Sequence, residues 1–229
     1  MTFGRHVIAT GSLPAGVLCD MDGTLTDSEH FWFRAQRYEY GQFGIDWTTE
    51  DQNLVIGRDI VDGTNAVFDR FHIEADAVQV ASLIVNRVIS LVKEEGVTWR
   101  PGAYALLERL RDWSVPCALV TSSYREYAQL VVDEAPEGAF SAIVTGDQIV
   151  HGKPAPDPFL TGAAKLGVSP QQCVAFEDSE AGVQSALAAG AITVVVPFQS
   201  RLEEHPEAHI LSSLELADRE FFEQLLLRS

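Results

Sequence analysis

Three short apolar runs in this chain each break off into a polar cluster, and that pattern constrains the fold more than any other feature. Val17-Leu18-Cys19 runs into Asp20-Met21-Asp22-Gly23-Thr24. Pro116 to Val120 runs into Thr121-Ser122-Ser123, and Cys173 to Phe176 runs into Glu177-Asp178. Short unbroken apolar runs bounded by turn residues are strands covered on both faces. Ala142 to Val144 and Ile192 to Val196 fit the same description.

Helical spacing fills the intervals. After the first run, residues 28–98 hold no alternating strand. They predict helices over Phe31 to Tyr40, Asp59 to Arg70 and Glu74 to Glu95, the last with Ala81, Val85, Val88 and Val92 on one face and Gly96 as its stop. This reads as a helical bundle inserted after the first strand. Further on, Pro101 opens a helix carrying Leu106, Leu107 and Leu110. Tyr124 to Asp133 is another, and Asp157 caps a third, with Pro158 at its first position and Gly167 past its end. Ala181 to Ala189 and Leu214 to Leu227 complete the set. Strands alternating with helices define an α/β fold, a Rossmann-like three-layer core around a parallel sheet. The core spans residues 1–27 and 99–229, and residues 28–98 form the insertion.

In open parallel sheets, ligands bind beyond the carboxyl ends of the strands. The three polar clusters lie there, and His151-Gly152-Lys153-Pro154 precedes a helix at the same edge. Taken singly, each cluster reads as a turn, a cap or a surface charge. Together they hold the parts of a phosphoryl-transfer site. Asp20 and Asp22, two apart at a strand end, leave on one side of the chain. A carboxylate attacking a phosphate dianion meets repulsion of about 8 kcal/mol at ~4 Å and an effective dielectric of ~20. Lys153 and a divalent cation offset it, and hydroxyls and amides after the second strand hold the phosphoryl oxygens. A cation held by few carboxylates, waters and a substrate phosphate is Mg²⁺.

Composition narrows the partners. The net charge of −17 repels nucleic acid and anionic membranes, and no basic run overrides it. No apolar run approaches membrane-spanning length, and residues 1–16 lack an apolar core long enough for a signal peptide. Cys19, Cys117 and Cys173 lie inside apolar runs without paired spacing, so they read as buried hydrophobes of a cytoplasmic protein. The chain is taken as a monomer, with a dimer as the alternative.

Asp20-Met21-Asp22-Gly23-Thr24-Leu25, Thr121-Ser122, Lys153 and Glu177-Asp178 resemble, in order, the four motifs of the haloacid dehalogenase superfamily. Residues 152–159 and 176–182 are similar to its β-phosphoglucomutase-like branch of sugar-phosphate phosphatases. The resemblance implies that Asp20 is the nucleophile that forms an aspartyl-phosphate and that Asp22 is the general acid and base. It implies that Thr121 and Ser122 bind the phosphoryl group and that Lys153 neutralises charge. It gives the metal to Asp20, the Asp22 carbonyl and Asp178, with Glu177 assisting directly or through water, and makes residues 28–98 a closing cap. The substrate is then a small phosphorylated metabolite.

Gly57-Arg58 resembles a cap position that binds a second anionic or hydroxyl-rich group, although Arg58 reads equally as a surface residue. Trp32 stands where the mutase branch carries a histidine, which favours hydrolysis over phosphosugar mutase activity. No cap lysine stands where a phosphonate-cleaving relative would form its Schiff base. Trp47, Trp99 and Phe31-Trp32-Phe33 read as packing. The third alternative is a regulatory protein that uses the fold without turnover.

Overall fold

One sheet organises the chain. In the computed structural model, which describes residues 13–55, 58–198, 202 and 205–228, its strands are β1 (Gly16–Cys19), β2 (Cys117–Val120), β3 (Ala142–Val144), β4 (Cys173–Glu177), β5 (Ile192–Val195) and β6 (His209–Ile210). Every pairing is parallel, and the spatial order is β3-β2-β1-β4-β5-β6. Val17 pairs with Cys117 on one side and Val174 on the other, so β1 is central. The chain winds outward from β1 to β3 and then restarts at β4 on the opposite side. That reversal opens a crevice beyond the carboxyl ends of β1 and β4.

The pleat divides the buried side chains into two layers. Val17, Cys19, Leu119 and Phe176 face a core shared with α4 (Ala103–Asp112), α5 (Arg125–Glu134) and α8 (Arg219–Arg228). Leu18, Ala118, Val120 and Ala175 face a second core with α6 (Asp157–Leu166) and α7 (Glu180–Ala188). This is the three-layer arrangement that the unbroken apolar runs predict. All three cysteines are buried and free.

Between β1 and β2 the chain builds α1 (Glu29–Gly41), α2 (Ile60–Phe71) and α3 (Ala77–Glu95). Helix α3 packs against α1, α2 and α5. Asp59 caps α2 by accepting from the Val61 amide, and Asp76 caps α3 by accepting from Val78 and Gln79. Trp47 is buried with its ring edge-on to Tyr40 at 4.8 Å, and Trp99 meets Tyr104 in the same way at 5.5 Å, so both are packing residues. Among the described residues, no helix is long and apolar enough to cross a membrane.

Several element boundaries differ from the sequence reading, each for a local reason. Pro101 does not open α4. Gly102, with φ +81°, takes the cap position, and the backbone of Glu215 lies where a Cβ at 102 would stand, 2.1 Å away. Asp157 is the first residue of α6 rather than its cap, because Pro156 holds the preceding position, and its carboxylate pairs instead with His151 Nδ1 at 3.0 Å. The terminal helix is split. Leu214–Leu216 is a single 3-10 turn, and Asp218 starts α8 afresh by accepting from the Phe221 amide at 2.8 Å. Strand β6 escaped prediction because it has only two residues and neither is buried.

Candidate active site

Asp20 follows the last residue of β1 and is 6% exposed. Its position is fixed by the sheet, since its amide donates to Phe176 O at 3.0 Å. Lys153 reaches it from the loop before α6. Lys153 Nζ donates to Asp20 Oδ1 at 2.5 Å, to Glu177 Oε1 at 2.6 Å and to Val120 O at 3.0 Å. One ammonium therefore ties the ends of β1, β2 and β4 together. Burial pulls the Lys153 pKa down, but Asp20 and Glu177 outweigh it, and the group ends above the ordinary lysine value.

Glu177 is fully buried at the end of β4. Its Oε2 accepts from the Asp178 amide at 3.1 Å, the Ser179 amide at 3.3 Å and Ser179 Oγ at 3.1 Å. Both of its oxygens thus have protein donors. Asp178 turns toward the crevice, where its Oδ1 accepts from Thr24 Oγ1 at 3.3 Å. Gly23 makes that approach feasible. It has φ +83°, and a Cβ there would lie 2.3 Å from Asp178 Oδ2.

Asp20, Glu177 and Asp178 each offer a carboxylate oxygen within 4.8 Å of the others. Burial, then Asp20 and Glu177, hold the Asp178 carboxyl well above its ordinary range; burial, then Asp20, push Glu177 up. Crowded, desolvated, oxygen-only donors are what a hard divalent cation requires and relieves. The donor set fits such an ion.

Asp22 lies beside this group in a cage of donors. Its Oδ1 accepts from Ser28 Oγ at 2.5 Å, Tyr127 OH at 3.1 Å and, more distantly, Trp32 Nε1 at 3.5 Å. Its Oδ2 accepts from Ser123 Oγ at 2.7 Å. Burial raises its pKa, the Ser28 and Ser123 hydroxyls oppose that, and the Asp20 charge adds to it. Trp32 is therefore more than packing. It lines the cavity and meets Tyr127 edge-on at 5.9 Å.

The hydroxyl cluster after β2 divides its tasks. Thr121 is buried, and its Oγ1 accepts from the Ser123 amide at 2.9 Å, which shapes the turn. Ser122 is exposed at the cavity mouth. Arg58 is exposed on the opposite wall, whereas Gly57 lies outside the described residues. The cavity that joins these groups measures about 1280 Å³ and is lined by Asp20, Asp22, Thr121, Ser122, Lys153 and Asp178 on one side and by α1 and α2 on the other.

Ser28, Tyr127 and Arg100 join the site from positions that no strand-end spacing marks. Arg100 donates to the carbonyls of Gly23, Val196 (3.1 Å) and Pro197 (3.0 Å) and stacks over Phe198 at 4.5 Å. It clasps the turn after β1 to the turn after β5. A lone arginine before a Pro-Gly pair carries no signal for this.

Comparison with known proteins agrees with the geometry. A family model described as haloacid dehalogenase-like hydrolase matches residues 14–190. Hexitol phosphatase A of Escherichia coli (strain K12) is 35% identical over 184 residues, covering 79% of this chain and 82% of that protein. Fructose-1-phosphate phosphatase YqaB of the same organism is 32% identical over 179 residues, covering 77% of this chain and 93% of its own length. Among solved structures, CbbY from Rhodobacter sphaeroides in complex with phosphate superposes with a TM-score of 0.79 at 26% identity, covering 89% of this chain and 96% of that one.

Proposed function

The chain belongs to the haloacid dehalogenase-like hydrolases, and from that premise we propose that it is a Mg²⁺-dependent phosphatase that hydrolyses a small phosphate monoester, a sugar phosphate in particular, through an aspartyl-phosphate. The observation that carries this reading is the contact of Lys153 Nζ with Asp20 Oδ1 at 2.5 Å, beside carboxylate oxygens of Glu177 and Asp178. The names of the two Escherichia coli relatives support the substrate class.

Asp20 Oδ attacks phosphorus, and the bond to the alcohol oxygen breaks. Asp22 gives its proton to that leaving oxygen. Water then attacks the aspartyl-phosphate, Asp22 takes the water's proton, and inorganic phosphate leaves with Asp20 restored. Its burial beside Asp20 raises the pKa of Asp22, which suits a group that must both give and take a proton. Lys153 holds the Asp20 carboxylate oriented and offsets charge on the phosphoryl oxygens. Thr121 fixes the turn that presents Ser122 and its backbone to those oxygens, and Arg58 meets the far end of the substrate.

Asp20, Asp178 and the Asp22 carbonyl, with Glu177 assisting, would hold the cation, Mg²⁺ in this reading, which would supply positive charge to the phosphate. Residues 28–98 act as the cap that excludes water from a core of residues 1–27 and 99–229. Trp32, which donates toward Asp22 where the mutase branch has a histidine, supports water as the second acceptor. The three free, buried cysteines suit a cytoplasmic setting.

The test is turnover of p-nitrophenyl phosphate with Mg²⁺. Wild-type protein releases phosphate, and Asp20→Asn releases none. A folded wild-type chain inert toward a broad panel of phosphomonoesters would refute the reading.

A further inference from the structure

The wall facing the reacting carboxylates is built from two helix stripes. On α1, Glu29, Trp32 and Gln36 follow at i, i+3 and i+7, and all three line the cavity. On α2, Asp62, Asn65 and Asp69 repeat the same spacing. This is the spacing that puts side chains on one helix face.

Two features of this wall point to what it meets. Gln36 is only 4% exposed, yet its Oε1 is buried without a hydrogen-bond partner. A buried amide oxygen left in that state is costly, so a donor is missing. The second feature is sign. Glu29, Asp59, Asp62 and Asp69 bring four carboxylates to this wall, and Arg58 is its one cation among the described residues. Carboxylate and amide oxygens accept hydrogen bonds from hydroxyls and repel anions.

On the reading that the site is a phosphatase site, we propose that the group beyond the phosphate is an uncharged polyol or sugar carrying no second anionic group, and that the Gln36 side-chain amide, which lines the cavity without a protein partner for its oxygen, hydrogen-bonds one of its hydroxyls. Gln36 then determines specificity by recognising a hydroxyl, and the acidic stripe of α2 rejects bisphosphates. A site built to satisfy a hydroxyl discriminates strongly against an analogue that lacks it, because its own polar group is left unpaired.

The experiment compares kcat/KM of the full chain with Mg²⁺ for sorbitol 6-phosphate, butyl phosphate, fructose 1,6-bisphosphate and p-nitrophenyl phosphate. Sorbitol 6-phosphate should exceed both butyl phosphate and the bisphosphate by about 30-fold or more. Gln36→Leu should lower the ratio of sorbitol 6-phosphate to butyl phosphate by roughly 10-fold, a change that a general loss of structure would not produce because both substrates share the reacting centre. Replacing Asp62 and Asp69 together by Asn should raise the bisphosphate relative to sorbitol 6-phosphate by roughly 5-fold or more. If the bisphosphate is turned over as well as sorbitol 6-phosphate, or if folded Gln36→Leu keeps the wild-type ratio, the proposal is overturned while the phosphatase reading stands. Failure of the wild-type chain on all four compounds, p-nitrophenyl phosphate included, overturns both.

Discussion

Lys153 and Glu177 meet at 2.6 Å, although Lys153 comes from a loop and Glu177 from the end of a buried strand 24 residues later. The same ammonium holds Asp20 at 2.5 Å. Without it, two carboxylates would face each other in a desolvated crevice. Lys153→Met should therefore remove the charge that Asp20 needs to approach a phosphate. The expected loss in kcat is about 10²–10³-fold, the size of effect seen when one preorganised charge-stabilising donor is deleted. The assay is p-nitrophenyl phosphate turnover, with circular dichroism as the check that the variant is folded. A variant within a factor of three of wild type would show that Lys153 has no role in the reaction.

Gly182, in the first turn of α7, lets the helix start press against Glu177. A Cβ at 182 would lie 1.9 Å from Glu177 Cδ, in a place where neither the buried carboxylate nor the strand can retreat. Gly182→Ala should cost about 1–3 kcal/mol as an overpacked contact. For a chain of this length that corresponds to a fall in Tm of roughly 2–4 °C per kcal/mol. Differential scanning calorimetry reads this directly. Because the displaced group is the partner of Lys153, turnover should fall along with stability.

Tyr127 and Ser123 reach Asp22 from α5 and the turn before it, at 3.1 and 2.7 Å. Tyr127→Phe keeps the ring and its edge-on contact with Trp32 and removes one donor. Ser28 and Ser123 would remain to hold the carboxylate. A hydrogen bond to a charged group contributes about 1.5–3 kcal/mol, so kcat should fall by about 10- to 150-fold. KM should change little, since the hydroxyl meets Asp22 rather than substrate. A rise in KM with kcat preserved would show instead that Tyr127 binds the substrate.

The contrast between Asp20 and Tyr127 shows what the sequence alone could reveal. Asp20, Thr121 and Glu177 are legible because each ends an unbroken apolar run, and a parallel sheet carries all such ends to one rim. Lys153 is legible only through its Gly-Lys-Pro context. Ser28 stands just before α1, yet its hydroxyl turns to Asp22 and not to the helix, and Tyr127 carries no local pattern that separates it from the other buried residues of α5. Their roles depend on the angles at which α1 and α5 meet the sheet, and no local pattern encodes those angles. Gln36 was hidden in the same way. Polar residues on a helix default to solvent, and only the packing of α1 places this one in a cavity wall. The misplaced start of α4 has a similar origin, because the contact that decides it comes from Glu215, 113 positions later than Gly102.

The cysteines should be chemically silent in the native state. Burial pushes the Cys173 thiol up to about 11, and a hydrogen bond with Cys117 together with burial holds Cys19 well above its ordinary value. Only the thiolate reacts at a useful rate. Iodoacetamide at pH 8 should modify none of the three in the folded protein and all three in guanidinium chloride, as counted by intact mass. Rapid native modification of Cys19, which directly precedes Asp20, would show that the end of β1 opens in solution.

Divalent cations should stabilise the fold as well as support turnover. Carboxylate oxygens of Asp20, Glu177 and Asp178 lie within 4.8 Å of one another, and burial with mutual repulsion pushes Glu177 and Asp178 up. An ion that binds only the folded state stabilises it by about 2.7 kcal/mol at a concentration 100 times its Kd. At roughly 2–4 °C per kcal/mol, saturating Mg²⁺ should raise Tm by about 5–10 °C, and EDTA should reverse the rise and abolish turnover together. Asp178→Asn supplies the control. It removes one like charge, so the metal-free protein should be no less stable than wild type, yet it loses a ligand, so most of the Mg²⁺-dependent rise should disappear. If Asp178→Asn kept the full rise, the cation would have to bind elsewhere, and the carboxylates at the ends of β1 and β4 would not be its site.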